Sequence, residues 1–376
     1  MQQPDPTETP RRERDRTDRR ARGRGARRIV LGLSGLGLVA AALAPSCAAP
    51  FDPPSRVNAL RVFSVDTDKP YAKPGDTVTF TLHYTDRLDP ASVRPVQITW
   101  LGGCFDPEGD SYYGCYAPLA DTLSQIQKGV IPPDGVIAQG VGLDTFQITL
   151  PDDIVTRRPR PPTGPYAGTA FVFFAACAGT VKPIAQEGTS KAGSFPLGCF
   201  DDQGNRLGAD SFVAGYTQIY AFEDGRLNAP PVVTELDFDD KTMEDDLSLA
   251  PHVKPCDVAE DQRQQTGCAA PAGYKSCERH KVKVIVPKDV AEIDPDGKGA
   301  KGETLKETVW ATYFSDGGDF ASDTKLISDA VEGYVGKQEV EWVAPPEAGT
   351  YSIWVVVRDS RGGSTTLTRL VTVDPP

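Results

Sequence analysis

Histidine is nearly missing from this chain: of 376 residues only His83, His252 and His280 are histidine, and no two are neighbours. Ready-made general-base or metal-binding pairs are therefore excluded at the level of local motif. There is no Gly-x-Ser-x-Gly turn, no His-Glu-x-x-His helix and no phosphate-binding loop, so the local signatures of esterases, zinc proteases and nucleotide enzymes are lacking too. The one glycine-spaced stretch, Gly32 to Gly37, lies inside an export-like segment and cannot open a dinucleotide fold. No segment between the linkers keeps helical apolar spacing, which argues against a parallel sheet covered by helices. These absences predict a non-catalytic protein with no catalytic residue.

Glycine (36) and proline (33) are abundant, as suits many short strands joined by turns. The chain is long enough for two cores. Charge is divided unevenly. Residues 1–28 hold ten Arg against five Asp or Glu, a net +5, so the formal total of −12 leaves −17 for the remainder. An acidic body disfavours nucleic acid and anionic bilayers as surface partners.

Behind the basic head, Ile29 to Leu43 is uncharged and 15 residues long. That suits a signal-peptide core and falls short of the roughly 20 residues of a membrane span. The order then closes on Ala44-Pro45-Ser46-Cys47, which resembles the lipobox of bacterial lipoproteins, with Ala44 where Leu is usual and Leu43 one place early. The resemblance implies cleavage before Cys47 and a lipid anchor in the membrane; secretion without lipid and an uncleaved anchor are the alternatives. Ala48 in place of Asp implies the outer membrane, on its periplasmic or surface face. Arg27-Arg28 resembles part of a twin-arginine signal without its flanking Ser or Thr, and Sec export is the competing route. Residues 1–26 read as disordered.

Seven cysteines remain after Cys47, an odd number. Cys104 and Cys115 bracket one polar loop and Cys177 and Cys199 another, so both pairs are expected as disulfides. Closing a loop as short as the first contributes about 3 kcal/mol by the chain-entropy estimate. Among Cys256, Cys268 and Cys277 one bond is expected, with the choice of pair left open. A zinc site built from these three and His280 is the rival reading, but it lacks a Cys-x-x-Cys knuckle.

Period-2 alternation begins after a tether at residues 47–56. In residues 77–84, Val78, Phe80, Leu82 and Tyr84 share one face, and His83 falls on the polar one as a surface residue. Residues 96–100 and 146–150 repeat the pattern, 169–177 are apolar on both faces, and 217–222 close a first domain, 57–227. Asn228 to Val232 reads as a linker into a second domain, 228–376, with strands at 281–286, 308–314 and within 339–373. Residues 1–46 are the basic head and signal peptide.

Trp342, Pro345-Pro346, Gly349-Thr350-Tyr351 and Arg358 to Gly363 before a last strand resemble the end of bacterial PKD-like and immunoglobulin-like domains. Tyr351 is placed to act as a tyrosine corner. Tyr166-Ala167-Gly168-Thr169 precedes its strand in a similar way, after the loop at 156–165. The resemblance implies an all-β protein of two tandem immunoglobulin-like β-sandwiches, similar to envelope lipoproteins of myxobacteria and their relatives, and it carries over no catalytic residue.

No cofactor is expected. Structural calcium is the secondary reading, with Asp237, Asp239, Asp240, Asp294 and Asp296 as candidates among neighbours such as Glu244, Asp245 and Asp246. Asp294 to Gly297 lacks the ligand ladder of an EF-hand. The expected role is binding, adhesion or structural display, with an envelope protein or glycan as partner. The alternative is a glycan-binding or accessory component of a secreted carbohydrate-active or proteolytic system. An exposed row of aromatics would favour glycan, and Tyr112-Tyr113 is the visible hint, with loop packing as its plainer explanation.

Overall fold

The computed structural model describes residues 53–88, 93–184, 194–258 and 277–376. Cys47, with the whole export segment, and Cys268 lie outside the described residues. Ala49–Pro376 forms one compact unit.

Its first half holds β1 (Arg61–Thr67), β2 (Tyr71–Ala72), β3 (Thr77–Thr85), β4 (Gln97–Phe105), helix α1 (Tyr116–Gln127), β5 (Ile137–Val141), β6 (Thr145–Thr149) and β7 (Ala167–Cys177). A hairpin of β8 (Thr180–Pro183) and β9 (Leu197–Phe200) and the long β10 (Phe212–Phe222) complete it. A sheet in the order β1-β3-β6 packs on another in the order β2-β10-β7-β4-β5. Alternation explains β3, whose Val78, Phe80 and Leu82 are buried. The doubly apolar β7 lies between β10 and β4 with Val172 and Phe174 facing the sandwich core and Phe171 and Phe173 facing away. The indole of Trp100, fully buried on β4, donates to Leu143 O at 2.9 Å.

The second half contains β11 (Glu235–Phe238), β12 (Lys241–Thr242), β13 (His252–Val253), β14 (His280–Ile285), β15 (Ile293–Lys298), β16 (Thr304–Lys306) and β17 (Val309–Ser315). It continues with β18 (Asp319–Phe320), β19 (Thr324–Asp329), β20 (Gly333–Tyr334), β21 (Glu339–Val343), β22 (Gly349–Asp359) and β23 (Ser364–Val373). Sheets β12-β11-β14-β21-β18 and β13-β23-β22-β17-β19-β20 enclose a core around Trp342 and Tyr313.

The two halves repeat one topology. β1-β3-β6 corresponds to β11-β14-β21, and β2-β10-β7-β4-β5 to β13-β23-β22-β17-β19, including the short parallel pairing of β2 with β10 and of β13 with β23. Each half also carries a tyrosine corner at the matching strand. Tyr351 donates to Glu347 O at 3.0 Å, and Tyr166 donates to Arg158 O at 2.7 Å. The fold is thus all-β and immunoglobulin-like, with two sandwiches in tandem.

One element departs from the sequence expectation. Helix α1 buries Leu119 and Leu123, four residues apart, against the outer face of β7. It ends in a Schellman turn, with Gly129 at φ 90°, Gly129 N–H donating to Ile126 O and Val130 N–H to Gln125 O. Three turns after a disulfide loop are too short for periodicity to stand out from strand-rich surroundings.

The end of the presumed tether is not loose. Val57 N–H donates to Ser315 O and Ser315 N–H to Ser55 O, both at 2.9 Å, while Arg56 pairs with Asp319 at 2.7 Å. Residues 55–57 are therefore stitched to the end of β17 in the second sandwich.

Candidate binding surface

The loop between Cys104 and Cys115 is fastened at several points. Besides the disulfide, Asp106 accepts from Thr169 N–H at 2.8 Å and pairs with Arg158 Nε at 2.9 Å. Asp110 accepts from the Thr169 hydroxyl at 3.0 Å and also pairs with Arg158. Burial pushes the Asp106 carboxyl up, against the pull of Thr169 N–H and the arginines. The loop at 156–165 thus supplies the arginine that clamps this loop to β7.

The clamped loop presents tyrosines. Tyr112 stacks on Tyr216 of β10, with ring centroids 4.3 Å apart and planes 18° apart, and meets Tyr113 and Tyr116 edge-on. Phe171 and Phe173 pack beneath Tyr216. Tyr216 and Tyr220 point away from the sandwich core because they alternate with Ile219 and Ala221, which are buried in it. Tyr113, Tyr216 and Tyr220 remain 49 %, 43 % and 37 % exposed. Four residues of β-strand separate Tyr216 from Tyr220 by about 13 Å. Of the two tyrosines singled out in sequence, Tyr112 is a packing residue and Tyr113 an exposed one. Tyr216 and Tyr220 were missed, although their alternation with Ile219 and Ala221 was the available signal.

A second polar constellation lies at the junction of the sandwiches. Asp66 of β1 accepts from Ser364 Oγ at 2.6 Å and Thr366 N–H at 3.1 Å on β23, and lies 2.9 Å from His83 Nε2. Burial opposes its charge, but His83, Ser364 and Ser64 together hold its carboxyl below the usual range. His83 is therefore not a plain surface residue: it stands on the polar face of β3 but pairs with Asp66, whose partners Ser364 and Thr366 come from the second half of the chain. Arg87 pairs with Asp316, whose carboxyl burial raises, and lies over the Trp354 ring. Apolar contact is made by Val57, Phe63, Phe314, Trp354 and Val356. Nearby, the 5 %-exposed side chain of Arg361 pairs with fully buried Glu307 at 2.8 Å and lies over the ring of Tyr71 in the first sandwich. These groups are paired to one another, which makes them a fastening rather than a reacting set.

The structure joins Cys104 to Cys115, Cys177 to Cys199 and Cys256 to Cys277. Three disulfides belong to a chain that matures outside the reducing cytosol. His280 turns Nδ1 to Asp239 at 2.8 Å and stacks on Phe238. Asp237 accepts from the Thr242 hydroxyl, Asp239 and Asp240 form the turn between β11 and β12 at positive φ, Asp294 accepts from the N–H groups of Asp296 and Gly297, and Asp296 pairs with Arg226. Among the described residues no three His, Cys, Asp or Glu side chains converge as a metal site. No described helix is long and apolar enough to cross a membrane.

No family model matches the chain and no curated protein sequence does. Among solved structures, the D00-D0 domain of intimin matches over 84 % of this chain and 99 % of its own, at 11 % identity and a TM-score of 0.20. The fibronectin(III)-like modules of Clostridium thermocellum CbhA match over 84 % and 94 %, at 13 % identity and a TM-score of 0.20. Likenesses of this size carry no argument about function; the fold stands on the strand pairings above.

Proposed function

We propose that the protein is a non-catalytic envelope lipoprotein, anchored through Cys47, whose two sandwiches divide near Asn228 to Pro231 and act together as one binding and display module. The observation that carries the reading is the exposed tyrosine row on a clamped loop and a paired strand. Tyrosine offers a large, stiff contact surface with a polar tip at low cost in side-chain entropy, and a surface already held in place loses little freedom on binding. The junction supports display, since ion pairs and an apolar cluster fasten the sandwich that carries the row to its neighbour.

The test overlays purified full-length protein on immobilised envelope material from its host. Binding that falls at least tenfold in Tyr113→Ala, with the melting temperature kept, supports the reading; equal binding by the variant refutes it. The anchor is tested separately by Cys47→Ala, which should abolish fatty-acid labelling and detergent-phase partitioning.

A further inference from the structure

We infer that the row Tyr113, Tyr216 and Tyr220 is a subsite for a neutral glycan, a step that rests on the binding-module reading and names its ligand. Three observations select this class. First, the exposed parts of the row are phenol rings, and the arginines near them are paired: Arg158 with Asp106 and Asp110, and Arg226, which lies over Phe222 next to Tyr220, with Asp224 and Asp296. The chain beyond Arg28 carries a net −17, so polyanions are repelled and nothing in the row offers them a cation.

Second, the row is narrow. Rings exposed to 49 %, 43 % and 37 % offer on the order of 300 Å² if a tyrosine buries about 200 Å². A standard protein interface needs about 800 Å² per partner. A linear ligand that lays apolar faces on the exposed parts of these rings fits the area available, with one face of Tyr216 already taken by Tyr112. Third, hydrogen-bonding groups border the rings. Gln218, half-exposed, stands between Tyr216 and Tyr220 on the same face of β10, and the exposed Asp110 lies on the clamped loop that carries Tyr113. Sugar rings present C–H faces to aromatic rings and hydroxyls to such edges, so both halves of the surface find partners.

The experiment is affinity electrophoresis of the full chain in non-ionic detergent, in gels containing hydroxyethylcellulose, a β-1,3-glucan or a galactomannan, with polygalacturonate as the anionic control. Retardation is expected in at least one neutral gel and not in the control. Tyr113→Ala and Tyr220→Ala should each weaken it about tenfold, and Tyr113→Phe should retain most of it. Tyr113 is the more exposed, and its variant should keep the wild-type melting temperature; Tyr220 packs on Tyr71 and Phe222, so its variant is assayed well below its own melting transition.

Absence of retardation in all three neutral gels, equal retardation by polygalacturonate, or retardation unchanged in both alanine variants would each overturn the assignment. Envelope binding that depends on the row without retardation by any neutral glycan would overturn it in favour of a protein partner and leave the binding-module reading standing. Retardation with release of reducing ends would keep the glycan and overturn the non-catalytic reading.

Discussion

Phe63 is the best point at which to break the molecule in a controlled way. It belongs to β1 of the first sandwich, yet the cluster that buries it contains Phe314, Trp354 and Val356 of the second. Its ring centroid lies 4.9 Å from that of Trp354 and 5.2 Å from that of Phe314, and the residue is 5 % exposed. Truncating a core phenylalanine to alanine costs about 3–5 kcal/mol. Phe63 also lines two clefts of about 560 Å³ and 390 Å³ at the junction, which gives water and neighbours room to relax. The expected loss for Phe63→Ala is therefore at the low end, about 3 kcal/mol. Urea unfolding followed by tryptophan fluorescence and by calorimetry reads it. In a fragment of residues 57–227 the partners are gone, and the same substitution should cost less than about 1 kcal/mol. A loss of under 1 kcal/mol in the full chain, or an equal loss in fragment and full chain, would refute the assignment of Phe63 to the junction.

Three further outcomes are expected. Asp66 has a lowered folded pKa, so its contribution is present above its unfolded value of about 4 and is lost as pH falls through the folded value. Asp66→Asn should therefore lose stability at pH 7 and show a shallower decline below pH 4 than wild type; parallel acid limbs in urea titrations would contradict this. Arg361→Met leaves fully buried Glu307 without its ion-pair partner and should cost about 3–5 kcal/mol in the same assay, largely recovered by adding Glu307→Gln. Non-reducing peptide mapping should return Cys104–Cys115, Cys177–Cys199 and Cys256–Cys277, with Cys268 recovered as a thiol or as a bridge to another chain; stoichiometric zinc with Cys256 and Cys277 unoxidised would contradict the pairing.

What could be read from the sequence was local. Alternation identified β3 and the doubly apolar character of β7, and Gly349-Thr350-Tyr351 identified a tyrosine corner whose hydroxyl does reach Glu347 O. Information that depends on distant segments was hidden. The stack of Tyr112 on Tyr216 joins a disulfide loop to a strand far along the chain, and neither segment alone signals the other. His83 was assigned to the polar face of its strand, but that a second sandwich brings Ser364 and Thr366 to the same carboxylate is a tertiary fact. Helix α1 escaped because its hydrophobic repeat spans one buried pair, Leu119 and Leu123.

The repeated topology explains why the two halves differ where they do. In each, the central strand of the larger sheet is apolar at successive positions: Phe171 to Cys177 in β7, Ile353 to Val357 in β22. Alternate residues fill the sandwich core, so the remainder must be covered from outside or left against water. In the first sandwich Phe171, Phe173, Ala175 and Cys177 are covered by α1 and by two disulfide-bonded loops. Such insertions have little core of their own, and covalent links offset part of the entropy of ordering them. In the second sandwich Trp354 and Val356 are covered by Val57 and Phe63, that is, by the first sandwich and the strand-like segment that leads into it. One outer face is thus closed by local insertions and the other by docking. The insertion that closes the first face packs Tyr112 on Tyr216 and carries Tyr113 outward, so the same loop that completes a core supplies one of the exposed rings and props a second.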